Sequence, residues 1–112
     1  MNQLTINLIQ GAVSFRFDSL AAENLHSEIN QLMQSLKEIT LQKKTGEKPT
    51  KKKTMEYQYT GEVFLEIFCN PNLYPNPFAA KLLITLRDDR IRLTSEAELT
   101  RLIEDLEAYI DQ

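Results

Sequence analysis

The feature of this sequence that most constrains its fold is one pattern that occurs twice. Each time, two short runs of alternating apolar and polar residues are followed by apolar residues at intervals of three and four. Alternation is the period of a half-buried strand, and intervals of three and four are the period of an amphipathic helix. The sequence therefore predicts a hairpin and a helix in its first half, and the same pair again in its second half.

The first hairpin is predicted from residues 4–8 and 13–17, joined by a two-residue turn that ends at Gly11. Glycine can adopt the positive φ that such a turn needs. This turn would pair Ile6 with Phe15 and place the apolar residues of both strands on one face, as a hairpin with one buried side requires.

The second hairpin is predicted from residues 82–87 and 90–93. A two-residue turn at residues 88–89 would pair Ile84 with Leu93. Its apolar residues again share one face, so both hairpins are expected to pack against the same core.

Both helices carry a start signal and an apolar stripe. Asp18 or Ser19 can cap the first helix, which is expected to fray near Gln42. Ser95 and Glu98 have the spacing of a capping box, in which each side chain satisfies a backbone donor of the other, and they predict the start of the second helix. The two stripes are Leu25, Ile29, Leu32, Leu36 and Ile39, and then Leu99, Leu102, Ile103, Leu106, Tyr109 and Ile110.

A strand-rich stretch at residues 55–70 completes the predicted set of elements. Gly61 either bends one long strand there or separates two short ones. The order ββα-β-ββα predicts an α+β fold, with a single antiparallel sheet of about five strands and two amphipathic helices packed on one face. The 112 residues fit a single domain.

Residues 43–54, the lysine-rich loop, separate the first helix from the strands that follow. The loop holds no apolar residue, and Gly46 and Pro49 oppose helix propagation, so we expect it to be mobile. Residues 43–53 carry a charge of +5 in a chain of net charge −3, which leaves −8 on the rest. Such a loop either keeps the chain solvated or contacts a polyanion. The candidate contacts are Lys43, Lys44, Lys48, Lys51, Lys52 and Lys53.

Residues 70–78, the proline loop, contain three prolines and cannot form a regular element. Because proline fixes φ and restricts the residue before it, we expect an ordered loop. Its aromatic side chains either form a rigid binding surface or fold inward over the sheet. Alternation also places two phenylalanines of the preceding stretch on the face opposite the apolar one. The candidate interface residues are Phe64, Phe68, Leu73, Tyr74, Pro75 and Phe78.

No combination of residues predicts catalysis. His26 is the only histidine and Cys69 the only cysteine, so a nucleophilic triad or a metal site cannot be assembled by spacing. The prediction is therefore no catalytic residue, no metal and no cofactor. The acidic residues that could be considered for acid–base chemistry are expected to face solvent; they are Glu62, Glu66, Glu104, Asp105 and Glu107.

These observations favour a non-enzymatic interaction protein, such as an accessory subunit, an assembly factor or an adaptor. Its partner would be another protein or a second copy in a homodimer. A nucleic-acid-binding accessory protein and a small enzyme with an unrecognised site are the alternatives. One cysteine and no apolar run of membrane-spanning length predict a cytoplasmic protein that neither carries disulfides nor enters a membrane.

Overall fold

The computed structural model describes residues 2–112 and contains six strands and two α-helices. In chain order these are β1 (Gln3–Asn7), β2 (Ala12–Arg16), α1 (Ser19–Lys44), β3 (Met55–Thr60), β4 (Phe64–Cys69), β5 (Lys81–Arg87), β6 (Arg92–Glu98) and α2 (Leu99–Ile110). Two short 3-10 turns, Pro71–Leu73 and Pro77–Ala79, lie between β4 and β5.

The strands form two sheets, so the predicted single sheet of about five strands is wrong. β1 and β2 make a two-stranded sheet, and β3 to β6 make a four-stranded antiparallel sheet in chain order. One backbone hydrogen bond, from the Ile9 amide to the Glu96 carbonyl (2.9 Å), joins the turn of the small hairpin to β6. Alternation shows which face of a strand is buried, but it does not identify the neighbouring strand, which is why the division could not be read from the sequence.

The central strand-rich stretch is itself a hairpin. β3 and β4 are joined by three residues, and the Gly61 amide donates to the Val63 carbonyl (3.0 Å). Of the two interpretations open for Gly61, the structure has the one in which it separates two strands. The full order is therefore ββα-ββ-ββα.

Both predicted hairpin registers are wrong by two residues. Ile6 pairs with Val13, not with Phe15, and Ile84 pairs with Ser95, not with Leu93. The reason is the same in both hairpins: the connection has four residues, not two. A shift of two residues leaves the side chains that remain paired on their predicted faces, so the alternation could not detect it. Ile91, which was predicted on the second strand of the second hairpin, instead lies in the connection and is 66% exposed.

Backbone and side-chain hydrogen bonds close these four-residue connections. In the first, the Leu8 amide donates to the Gly11 carbonyl (2.9 Å). In the second, the Asp88 amide donates to the Ile91 carbonyl (3.0 Å), and the Asp88 carboxylate accepts from the Arg90 and Ile91 amides (2.8 and 2.9 Å).

The helix starts agree with the sequence for α1 and disagree for α2. The Asp18 carboxylate accepts a hydrogen bond from the Ala21 amide (3.2 Å), as a cap does. The predicted capping box of Ser95 and Glu98 is wrong, because β6 continues through both residues and Glu98 makes no side-chain cap bond. Strand pairing with β5 takes the backbone groups that a cap would have used.

The core lies between the helices and one face of the four-stranded sheet, and it extends under the small hairpin. Both predicted helix stripes point into it, and aromatic rings of β2, β3 and α2 meet around the fully buried Phe17. Within residues 2–112, no helix combines the length and apolar character needed to cross a bilayer.

Candidate interaction surfaces

The proline loop holds its shape through side-chain bonds at the start of each 3-10 turn. The Asn70 side chain accepts from the Asn72 amide (3.1 Å), and the Asn76 side chain accepts from the Ala79 amide (3.0 Å). Proline is the first residue of both turns, where its missing N–H costs no hydrogen bond. The loop therefore has a defined backbone on which its other side chains are presented.

Two neighbouring segments hold the proline loop in place. The Thr40 hydroxyl of α1 lies 3.0 Å from the Pro75 carbonyl and 2.8 Å from the Leu36 carbonyl, and its one proton is shared between these two acceptors. On the other side, Asn72 accepts from the Lys52 amide (2.7 Å) and donates to the Lys52 carbonyl (2.8 Å). The loop is thus bonded both to the last turns of α1 and to the chain that leads into β3.

The loop exposes some of its predicted interface residues and packs others. Phe78 is 81% exposed and Leu73 is 71% exposed, and Pro75 is also exposed. Tyr74 is half-buried against the core. The question that the sequence left open has a mixed answer, because the loop both covers the core and presents apolar side chains to solvent.

Phe78 forms one wall of a groove of about 590 Å³ between α1 and the proline loop. The opposite wall is the second half of α1, where Leu41 is 63% exposed. No acidic residue lines this groove, and two exposed lysines of α1 flank its apolar floor. We call it the apolar groove; its lining residues are Met33, Lys37, Thr40, Leu41, Lys44, Asn76, Pro77, Phe78 and Thr100.

Sequence reasoning found Phe78 but missed the α1 side of this groove. Met33, Lys37 and Leu41 follow one another at intervals of four and so form a second stripe beside the buried one. The apolar character of Leu41, outside the main stripe and just before the expected fraying point, was the available signal.

A second candidate surface is the sheet face opposite the helices, the outer sheet face. Phe68 (38% exposed) pairs there with Leu83 (43% exposed) across β4 and β5. Phe64 lies on the same face, but the Arg87 guanidinium sits 4.3 Å from its ring centroid and covers it. The face is mixed in character; its remaining members include Glu56, Gln58, Thr60, Glu66, Thr85, Thr94 and Glu96.

The six lysines proposed as polyanion contacts are divided between two elements. Lys43 and Lys44 belong to the last turn of α1, whereas the other four follow it. The Lys52 ammonium forms an ion pair with the Glu38 carboxylate, and its backbone is held by Asn72. Lys48, Lys51 and Lys53 are exposed. The mobility of the lysine-rich loop and its contact with a polyanion stay predictions.

The groups considered for chemistry do not converge. Cys69 is 2% exposed, and burial raises the pKa of its thiol to about 11, so the reactive thiolate is disfavoured. The His26 Nε2 lies 3.7 Å from the Glu107 carboxylate on the surface between the helices. Among residues 2–112, no three His, Cys, Asp or Glu side chains are grouped closely enough to hold a metal ion.

One acidic residue was placed wrongly by the sequence. The Asp105 side chain is only 9% exposed, not solvent-facing, and accepts hydrogen bonds from the Asn7 amide and the Asn7 side-chain amide, both at 2.8 Å. The Arg101 Nε lies 3.5 Å away on the same helix. The two hydrogen bonds with Asn7 fix α2 against the end of β1, whereas the Arg101 contact lies within α2.

Comparison with protein-family models, with curated proteins and with solved structures found no match for this chain.

Proposed function

We propose that this protein is a non-enzymatic interaction module, an accessory subunit, assembly factor or adaptor, which binds another protein at the apolar groove. The observation that carries the proposal is the exposure of Leu41 and Phe78 on the two walls of that groove. Large apolar side chains that meet at one exposed site are typical of protein-binding surfaces, since water contact with them is unfavourable.

The loop that carries Phe78 supports the same function. Hydrogen bonds from Thr40 and within the Asn76 turn fix its backbone before any partner arrives. A preformed wall loses little conformational entropy on binding, and aromatic anchors on such walls contribute much of the affinity in protein interfaces.

The outer sheet face ranks below the apolar groove. Its two most exposed apolar side chains, Phe68 and Leu83, are each less than half exposed, and Phe64 is covered by Arg87. The nucleic-acid and enzymatic alternatives rank lower still. Among residues 2–112, Lys52 is already paired and no metal-binding group is assembled.

Site-specific photo-crosslinking in the cells that naturally make the protein tests the proposal. A photoreactive amino acid replaces Leu41 or Phe78, and crosslinked proteins are identified by mass spectrometry. We expect both positions to capture the same protein, because both line one groove.

Ser27 is the matched control position, since it is exposed on α1 but lies outside the groove. A photoreactive residue there should not capture that protein. Capture at position 27 equal to that at positions 41 and 78, or none at either groove position, would refute the proposed binding site.

A further inference from the structure

The shape of the apolar groove follows from the helix that forms one wall. Met33, Lys37, Leu41 and Lys44 occupy one side of α1, because intervals of four, four and three return to nearly the same direction on a helix. At a rise of about 1.5 Å per residue the stripe is about 16 Å long, which is the length of about three helical turns.

The charges on this stripe restrict what can occupy it. Lys37 and Lys44 are exposed, neither takes part in the ion pairs found among residues 2–112, and no acidic side chain lines the groove. Lys44 also belongs to residues 43–53, which carry a charge of +5, so the local field is positive although the chain has a net charge of −3. An acidic occupant is therefore favoured.

The same charges argue against a second copy of the chain in this groove. A two-fold contact places the same surface patch of each copy against the other. Lys37 and Lys44 would then face lysines and gain no carboxylate partner from the groove.

We propose that the apolar groove binds an acidic amphipathic helix of a partner protein. This inference rests on the proposed function and names the class of its partner. Lys37 and Lys44 are seven residues apart, about 10 Å along the helix axis, which equals two turns. The bound helix carries two acidic residues seven positions apart that reach these ammonium groups, with large apolar residues between them seated on Leu41 and Phe78.

A synthetic peptide of about 18 residues is the probe, long enough to form helix in an alanine-rich sequence. It carries two glutamates seven apart with two leucines between them, and a second peptide has lysines in place of the glutamates. Binding to the full ¹⁵N-labelled chain is followed by NMR. We expect the acidic peptide to shift the amides of Lys37, Leu41 and Phe78, with an effect that weakens as salt is added.

Charge exchange is the decisive variant. The double substitution Lys37→Glu with Lys44→Glu should weaken binding of the acidic peptide about ten-fold and strengthen binding of the lysine peptide above its level with the parent chain. Leu41→Ser should weaken binding of the acidic peptide, whereas Leu73→Ser, which removes a similarly exposed leucine outside the groove, should leave it unchanged. All of these positions are exposed, so the unchanged remainder of each NMR spectrum reports that the variant is folded.

Equal binding of the two peptides, or shifts that lie outside the groove, would overturn the acidic-helix proposal. So would the absence of binding at millimolar peptide. Crosslinking from positions 41 and 78 could still capture a protein in that case. The proposed protein-binding function would then be supported, and only the proposal of an acidic helix as the partner would be refuted.

Discussion

At the scale of single residues, two side chains of α2 determine where the small hairpin lies. The Asp105 carboxylate binds the backbone and side chain of Asn7, and the Tyr109 hydroxyl donates to the Phe17 carbonyl at the end of the same hairpin. Each pair is separated by more than ninety residues in sequence. The pattern around Asp105 could not reveal its partner, because helical spacing reports only neighbours on the same helix.

Asp105→Ala should destabilise the fold by about 2 kcal/mol, because it removes two hydrogen bonds to a charged group and leaves the Asn7 donors without their acceptor. The free energy of unfolding, measured by urea denaturation, checks this. Glu104→Ala removes an exposed carboxylate from the adjacent position and should change the free energy of unfolding by about 0.5 kcal/mol or less. Equal effects of the two substitutions would contradict the role assigned to Asp105.

Burial of Cys69 predicts a stability that falls in alkaline solution. The pKa of the thiol rises from 9.0 to about 11 on folding, so the folded chain keeps the proton over a range in which the unfolded chain loses it. The resulting stabilisation is complete below pH 9 and is lost as pH rises towards 11. Burial also raises the pKa of Tyr57 to about 12, which extends the fall above pH 10.

Urea denaturation at a series of pH values measures this loss, and Cys69→Ala is its control. The substituted chain should show a smaller fall in unfolding free energy between pH 9 and 11 than the parent chain, because it lacks the thiol. Parallel curves for the two chains would show that the thiol titrates alike in the folded and unfolded states.

At the scale of elements, the sequence predicted most of what is regular. Both helices, their buried stripes and most buried strand positions follow from periodicity, because periodicity is what burial on one side imposes. Ile91 and Leu93 are exceptions, since both are exposed. The registers of the β1–β2 and β5–β6 hairpins could not be predicted from periodicity. Turns of two and of four residues place the same paired side chains on the buried face. The Ser95 capping box failed because its residues also satisfy strand pairing, and tertiary contacts selected the strand.

Gly11 provides a test of the four-residue connection. Its φ is +84°, a region that an alanine enters at a cost of about 1 kcal/mol, although no atom lies within 4 Å of an added Cβ. Gly11→Ala should therefore lower the free energy of unfolding by about that amount. Gly11→Asn should cost less, because asparagine tolerates positive φ better than alanine does. Equal stability of the parent chain, Gly11→Ala and Gly11→Asn would contradict the positive φ assigned to residue 11.

The candidate site was predictable in part. Phe78 was identified because the three prolines that precede it in residues 70–78 indicated an ordered loop with aromatic side chains. Leu41 and Lys37 were not, because the groove exists only where α1 passes the proline loop, and no local pattern reports such a meeting. Tyr74 was predicted as an interface residue, but it is half-buried against the core.

At the scale of the whole molecule, one core serves both sheets, and the apolar groove lies where α1 meets the proline loop. Positive and negative charges are also separated between this groove and the rest of the molecule. The chain carries −8 outside residues 43–53, whereas the groove and the adjoining lysines are positive. This positive charge would guide the proposed acidic partner towards the apolar groove.

Self-association provides a test at this scale. Because two like-charged grooves repel each other, Leu41→Ser should leave the mass of the isolated protein in light scattering equal to that of the parent chain. A parent chain that dimerises and a Leu41→Ser chain of 13 kDa would show that the groove binds a second copy.

The most direct test of the central claim, that this chain acts by binding another protein through the apolar groove, is its apparent mass in an extract of its native cells. The tagged chain and its Leu73→Ser variant should both elute in a complex larger than the purified, free tagged chain. The double variant with Leu41→Ser and Phe78→Ser should elute at the mass of the free chain. A double variant that stays in a complex of the parent's size would contradict the claim.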